Sequence, residues 1–162
     1  LPGMPFIYYG EEIGMLGTKP DPRLRTSMQW TVDEASGGFT TGKPWLPVDE
    51  KHIAVAASVQ ENDQDSPLNF ARRLIAWRRN TPQLTRGEIV FFDAPEPVLA
   101  LRRDLAGHPG VIAVFNLGPA PVTFDLPQIA GASAMSGHGL AGSVDGSKVT
   151  LPAFGGWFGT IA

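Results

Sequence analysis

The carboxylates able to do acid and base chemistry come as sequence neighbours: Glu11-Glu12, Asp33-Glu34 and Asp49-Glu50. Adjacent side chains usually point apart, whereas a working acid and base need separate environments to set their pKa values. Glu11-Glu12 is the pair of interest, because it follows an apolar run directly; it either lines a site or anchors a loop. A second cluster is Arg23-Leu24-Arg25-Thr26-Ser27-Met28-Gln29-Trp30. Two arginines, a glutamine and a tryptophan suit a sugar, since a planar side chain stacks on a ring face while Arg and Gln donate to hydroxyls. The same residues suit a salt-bridged loop anchor equally well.

Other chemistries are excluded. There are no cysteines, so thiolate nucleophiles, disulfides and thiolate-bound metal are ruled out. His52, His108 and His138 stand singly, none at i,i+4 from another, and read as surface or loop residues rather than metal ligands. No metal and no cofactor is expected, since phosphate-loop, dinucleotide and nucleophile-elbow patterns are all missing. The net charge of −3, from 13 basic and 16 acidic residues, offers no surplus for nucleic acid or an anionic membrane surface. No segment reaches the ~20 apolar residues of a membrane span. Pro2, Gly3 and Pro5 break the first apolar run and no basic stretch precedes it, so the start is not a secretion signal and a cytoplasmic location is expected.

The elements that would position these residues differ in texture along the chain. Phe6 to Tyr9 is aromatic and β-branched without alternation, the pattern of a strand covered on both faces. Such a strand needs neighbours on both sides and none precedes it, so the sequence reads as the end of something larger. Residues 11 to 65 carry Gly and Pro at short intervals and read as one long functional loop. Ser66 is an N-cap candidate with Pro67 at the first helical position, and Phe70, Ala71, Leu74, Ile75 and Trp77 form an apolar stripe that ends at Asn80-Thr81-Pro82. Arg72, Arg73, Arg78 and Arg79 beside it read as a solvated face. Up to Arg86 the chain has 10 basic and 10 acidic residues, and from Gly87 it has 3 and 6, so the whole charge of −3 lies in the second part. There, strands are expected at Glu88 to Phe92, Val98 to Arg102, Val111 to Asn116, Pro121 to Leu126, Lys148 to Leu151 and Trp157 to Ile161, spaced as in an antiparallel sandwich. Residues 131 to 146 read as a loose meander. The aromatics of this part, Phe91, Phe92, Phe115, Phe124, Phe154, Trp157 and Phe158, read as core.

Taken together, the motifs GMPFIYYGEEIGM, RTSMQW and GGFTTGKPWLPV resemble the eighth-strand motif G-x-P-x-x-Y-x-G-x-E and the R-T-P-M-Q-W and P-W-x-P-V stretches of the alpha-amylase superfamily, glycoside hydrolase family 13, in its alpha-glucosidase and oligo-1,6-glucosidase branch. The resemblance implies a mixed α and β chain: residues 1–86 the C-terminal end of a (β/α)8 barrel, with its last strand, substrate loop and last helix, and residues 87–162 an antiparallel β-sandwich. Gly3, Pro5, Tyr8, Gly10 and Glu12 fill the strand motif, with Tyr8, Gly10 and Glu12 implied to anchor the loop. Arg25, Met28, Gln29 and Trp30 fill the loop motif, and Arg23, Arg25, Gln29 and Trp30 are implied to bind substrate. Ser27 departs from the usual proline. Asp21 stands where many members carry an arginine at the cleavage point, which leaves Arg23 as its candidate substitute.

The implied activity is a retaining hydrolysis of short alpha-linked gluco-oligosaccharides by an aspartate nucleophile and a glutamate acid. Their G-F-R-x-D and N-H-D motifs do not occur here, so no catalytic residue is expected in this chain, which alone should be inactive. Its expected partners are an oligosaccharide and, within the parent polypeptide, the rest of the barrel; without the latter, the exposed strand and helix stripe favour self-association. Sucrose isomerases and trehalose-forming transglycosidases share the motifs and imply transfer instead. A non-catalytic reading makes the β part a structural or carbohydrate-binding module.

Overall fold

A computed structural model describes residues 4–32, 36–48 and 50–162. Gly3, Asp33, Glu34 and Asp49 lie outside the described residues, and of Glu50 and His52 only the backbone is described. The chain divides into two compact units, one ending at Arg72 and the other running from Arg73 to Ala162.

The second unit is a sandwich. Its strands are β1 (Glu88–Phe92), β2 (Val98–Asp104), β3 (Gly110–Asn116), β4 (Val122–Asp125), β5 (Ser133–Ala134), β6 (Ser143–Asp145), β7 (Lys148–Leu151) and β8 (Gly156–Ile161). They form a five-stranded sheet, β1-β2-β3-β8-β5, and a three-stranded sheet, β4-β7-β6, with every pairing antiparallel. All six expected strands are present. The two additions, β5 and β6, lie in the expected meander and are too short to show a period.

Strand β3 explains its own continuous apolar sequence. Successive side chains point to opposite faces: Ile112 and Val114 enter the inter-sheet core with Ala100, Trp157, Val149, Leu151, Leu126 and Ile129. Val111 and Ala113 point the other way, to Leu101 and Phe158, where Trp77 and Leu84 pack over them. Both faces being covered, alternation disappears and only hydrophobicity remains. Of the seven aromatics expected in the core, Trp157 and Phe158 are buried and Phe92, Phe115 and Phe124 pack against it, whereas Phe91 and Phe154 are exposed. Asn116 closes the sandwich end: its Nδ2 donates to Ala120 O at 2.7 Å and Pro152 O at 2.9 Å, and its Oδ1 accepts from Gly118 N at 2.9 Å.

The helices are α1 (Glu50–Ile53), α2 (Ala57–Gln60), α3 (Pro67–Arg79) and α4 (Pro82–Arg86). Helix α3 begins as expected, with Ser66 Oγ accepting from Asn69 N at 3.3 Å. Its stripe is covered less than the pattern implies: Phe70, Ala71, Leu74 and Trp77 are half-buried and Ile75 is exposed, while the buried apolar residue of the helix is Leu68, outside the expected stripe. Helices α1, α2 and α4 are too brief for a 3.6-residue period to register. The expected long loop is therefore broken by α1, α2 and two 3-10 turns, Glu11–Ile13 and Asp21–Leu24.

The strand expected at Phe6 to Tyr9 is not formed among the described residues. A strand exists only through its ladder partners, and among the described residues none pairs with this segment. Its side chains accordingly lie open, Phe6 at 85% exposure. His138, expected as a surface or loop residue, is in a loop but buried, at 6% exposure. Among the described residues no helix is long and apolar enough to cross a membrane.

Candidate functional site

The first unit contains a turn whose geometry favours glycine. Gly10 has φ 88°, and a Cβ there would lie 2.3 Å from Met15 Sδ. The two carboxylates that follow fold back onto the backbone in front of them: Tyr8 N donates to Glu11 Oε2 at 3.0 Å and Gly10 N to Glu12 Oε2 at 2.9 Å. Both act as turn acceptors in this structure. Ile13 then enters a small apolar cluster with Met28 and Leu68.

The arginine loop is tied to this turn and to α2. The Tyr9 hydroxyl donates to Thr26 O at 3.1 Å. Burial, with Tyr8 beside it, pushes the Tyr9 hydroxyl pKa up against the opposing pull of the Arg25 charge. The first N–H groups of α2, which have no intrahelical partner, reach the loop: Ala57 N donates to Gln29 O at 3.0 Å and Ser58 N to Trp30 O at 2.9 Å. Trp30 N in turn donates to Gly37 O at 2.7 Å.

Gln60 is the buried hub beneath. Its Nε2 donates to Ile13 O at 2.7 Å and Val55 O at 2.8 Å, and its Oε1 accepts from Leu68 N at 3.0 Å. Its carbonyl accepts from Ser66 Oγ at 2.9 Å and Asn69 Nδ2 at 2.9 Å. One side chain thus joins the Glu11–Ile13 turn, the segment before α2 and the start of α3. At the surface, Arg72 makes a two-pronged contact with Glu61, at 2.8 and 2.9 Å, which holds the Glu61 carboxyl below its usual range.

The residues singled out from sequence are placed unequally. Arg23 lines a cleft of about 630 Å³ with Leu16, Thr26, Leu46, Val48 and Lys51, a volume within the range of small-molecule sites. Arg25 is exposed and does not line that cleft. Trp30 is half-exposed, at 49%, and able to present a ring face. Gln29 is fully buried; its Nε2 donates to Ser27 O and its Oε1 has no partner among the described residues. Asp21 is ion-paired with Lys19. Tyr8, Gly10 and Glu12 share the turn at the head of the loop. Sequence reasoning missed Tyr9 and Gln60, which bind backbone carbonyls far along the chain and so leave no side-chain pattern. Among the described residues no group of three or more His, Asp or Glu side chains is arranged to hold a metal ion.

The family model for the alpha-amylase catalytic domain matches residues 1–87. A probable alpha-glucosidase of Rhizobium meliloti (strain 1021) is 36% identical over 138 residues, 85% of this chain and 24% of that protein. The trehalose synthase/amylase TreS of Mycobacterium tuberculosis (strain ATCC 25618 / H37Rv) is 38% identical over 145 residues, 79% of this chain and 24% of that protein. The solved structure of an alpha-glucosyl transfer enzyme, XgtA, superposes with a TM-score of 0.87 at 34% identity, covering 96% of this chain and 32% of that one. The chain spans about a quarter of the length of these curated relatives. With the family model matching more than half of its residues, and the turn and loop motifs lying inside that match, the chain belongs to the alpha-amylase family.

Proposed function

We propose that these 162 residues are the C-terminal part of a retaining alpha-glucosidase acting on short alpha-linked gluco-oligosaccharides. In this reading residues 1–86 complete the catalytic barrel, with residues 6 to 9 as its last strand and α3 as its last helix, and residues 87–162 are the appended sandwich. The observation that carries it is the exposed, apolar segment from Met4 to Tyr9 leading straight into the tied Gly10–Glu12 turn. An aromatic and aliphatic run this exposed has a free-energy incentive to pair and be covered, and functional loops of α/β barrels follow the C-terminal ends of strands.

Arg23, Arg25 and Trp30 would then contact the sugar, the arginines donating to hydroxyls and the indole stacking on the ring. Buried Gln29 would act through its backbone, whose carbonyl is fixed by α2. Tyr8, Gly10 and Glu12 would hold the turn. The nucleophile and acid of the retaining route would come from outside these residues. The test is an Arg25→Ala substitution in a polypeptide that includes the remaining barrel. Weakened sugar contact should raise KM for maltose at least about tenfold, the loss of roughly 1.4 kcal/mol of binding. An unchanged KM and kcat would remove Arg25 from the site.

A second reading, transfer rather than hydrolysis, is favoured by the similarity to a trehalose synthase/amylase and to a glucosyl transfer enzyme. Product analysis with sucrose and maltose separates the two: free glucose supports hydrolysis, and an isomeric or lengthened saccharide supports transfer.

A further inference from the structure

We propose that His138 is a pH-operated latch that fastens the 135–140 segment onto Trp77 at the end of α3. The segment Met135-Ser136-Gly137-His138-Gly139-Leu140 doubles back on itself through two glycines at positive φ, Gly137 at 87° and Gly139 at 76°, on either side of the histidine. This reversal turns the imidazole inward. It meets Trp77 edge-on, ring centroids 5.3 Å apart at 70°, and Phe158 at 5.1 Å. Trp77 Nε1 closes the arrangement by donating to Ser136 O at 2.9 Å.

The ring's two hydrogen bonds fix its protonation. Leu140 N–H can only donate, so Nδ1, 3.1 Å away, is an acceptor and carries no proton. Nε2 therefore bears the hydrogen and donates to Met135 O at 3.0 Å. The neutral ring satisfies both contacts, whereas the imidazolium would set an Nδ1–H against the Leu140 N–H. The second proton both breaks a bond and creates a donor–donor clash in a buried site.

The surroundings offer no compensation. Strands β3 and β8 and residues 131 to 144 carry no other ionisable side chain. Helix α3 contributes Arg73, Arg78 and Arg79 together with Arg72, which is paired with Glu61 at 2.8 Å; α4 contributes Arg86, and β2 contributes Arg103 and the Arg102–Asp104 pair at 2.7 Å. The nearest elements are thus cationic or neutral. Burial lowers the ring's pKa, with the Met135 carbonyl opposing it. The latch is therefore closed above the unfolded histidine value of about 6.5, and opens as pH falls from there through the lower folded value.

The experiment follows the His138 ring by NMR across pH 7.5 to 4.5, with amide exchange at Leu140 and the Trp77 indole N–H, corrected for intrinsic exchange rates. Protection at both sites should fall at least tenfold, in step with protonation of His138. The variant His138→Gln, whose amide presents one acceptor and one donor without titrating, should lose that dependence. The proposal is overturned if His138 protonates while Leu140 and Trp77 stay protected, if protection is flat over the range, or if His138→Gln shows the same fall. Should His138→Gln not fold, the coincidence of ring titration and exchange in the unaltered chain decides alone.

Discussion

Replacing Gln60 with glutamate should loosen the first unit more than any single surface change. The glutamine sits at 6% exposure and makes three side-chain hydrogen bonds. Gln60→Glu keeps the acceptor facing Leu68 N but loses both donations from Nε2. Ile13 O and Val55 O are left facing a second carboxylate oxygen. An unsatisfied buried acceptor costs about 1–3 kcal/mol, so two cost about 2–6 kcal/mol, and interactions within one network do not add fully. About 3 kcal/mol is the working value. The readout is amide exchange at Ala57 and Ser58, whose N–H groups hold the Gln29 and Trp30 carbonyls; protection should drop by roughly two orders of magnitude at pH 7. The new carboxyl, buried among acceptors, has its pKa raised. Acidification through that raised value restores one donor, and protection should partly recover. Protection equal to that of the unaltered chain, or a further loss on acidification, would refute the hub.

Two further outcomes follow from the geometry. Gly159→Ala should destabilise the sandwich by about 1–3 kcal/mol, because a Cβ there would sit 2.0 Å from the Trp157 indole; thermal melting checks this, and an unshifted midpoint would show that the ring moves freely. Arg72 holds Glu61 below its ordinary pKa, so the folded state binds that proton less readily than the unfolded chain. The pair's contribution is complete above about pH 4.3 and disappears as pH falls through the lower folded value; because both groups are exposed, Arg72→Ala should shift the acid limb of the stability curve only slightly.

Much of the sandwich was legible because each of its long strands carries its own signal. The runs Val111 to Asn116 and Trp157 to Ile161 are continuous and apolar since both of their faces are covered, and Ser66-Pro67 announces the start of α3. The short strands Ser133–Ala134 and Ser143–Asp145 carry no pattern, being placed by the neighbours they pair with. Residues 6 to 9 teach the converse: their composition reports what the segment is suited to, yet a ladder needs partners that the described residues do not supply. In the candidate site, Gly10 and Glu12 could be singled out through the motif they fill, whereas residue type alone left Glu11-Glu12 open between lining a site and anchoring the loop. The role of Gln60 could not be singled out, because its main contact, Ile13 O, lies 47 residues away and is a backbone atom that any residue could present. Gln29 is the instructive intermediate: its type suggests a sugar contact, but the fold buries its side chain and uses its carbonyl.

The most direct measurement is hydrolysis of 4-nitrophenyl alpha-glucopyranoside by the purified 162-residue chain, beside a longer polypeptide that includes the region upstream of Leu1. No turnover by the chain, with glucose released in retained configuration by the longer polypeptide, is the result expected if the catalytic carboxylates lie outside these residues. Inhibitor-sensitive turnover by the 162 residues alone would contradict it.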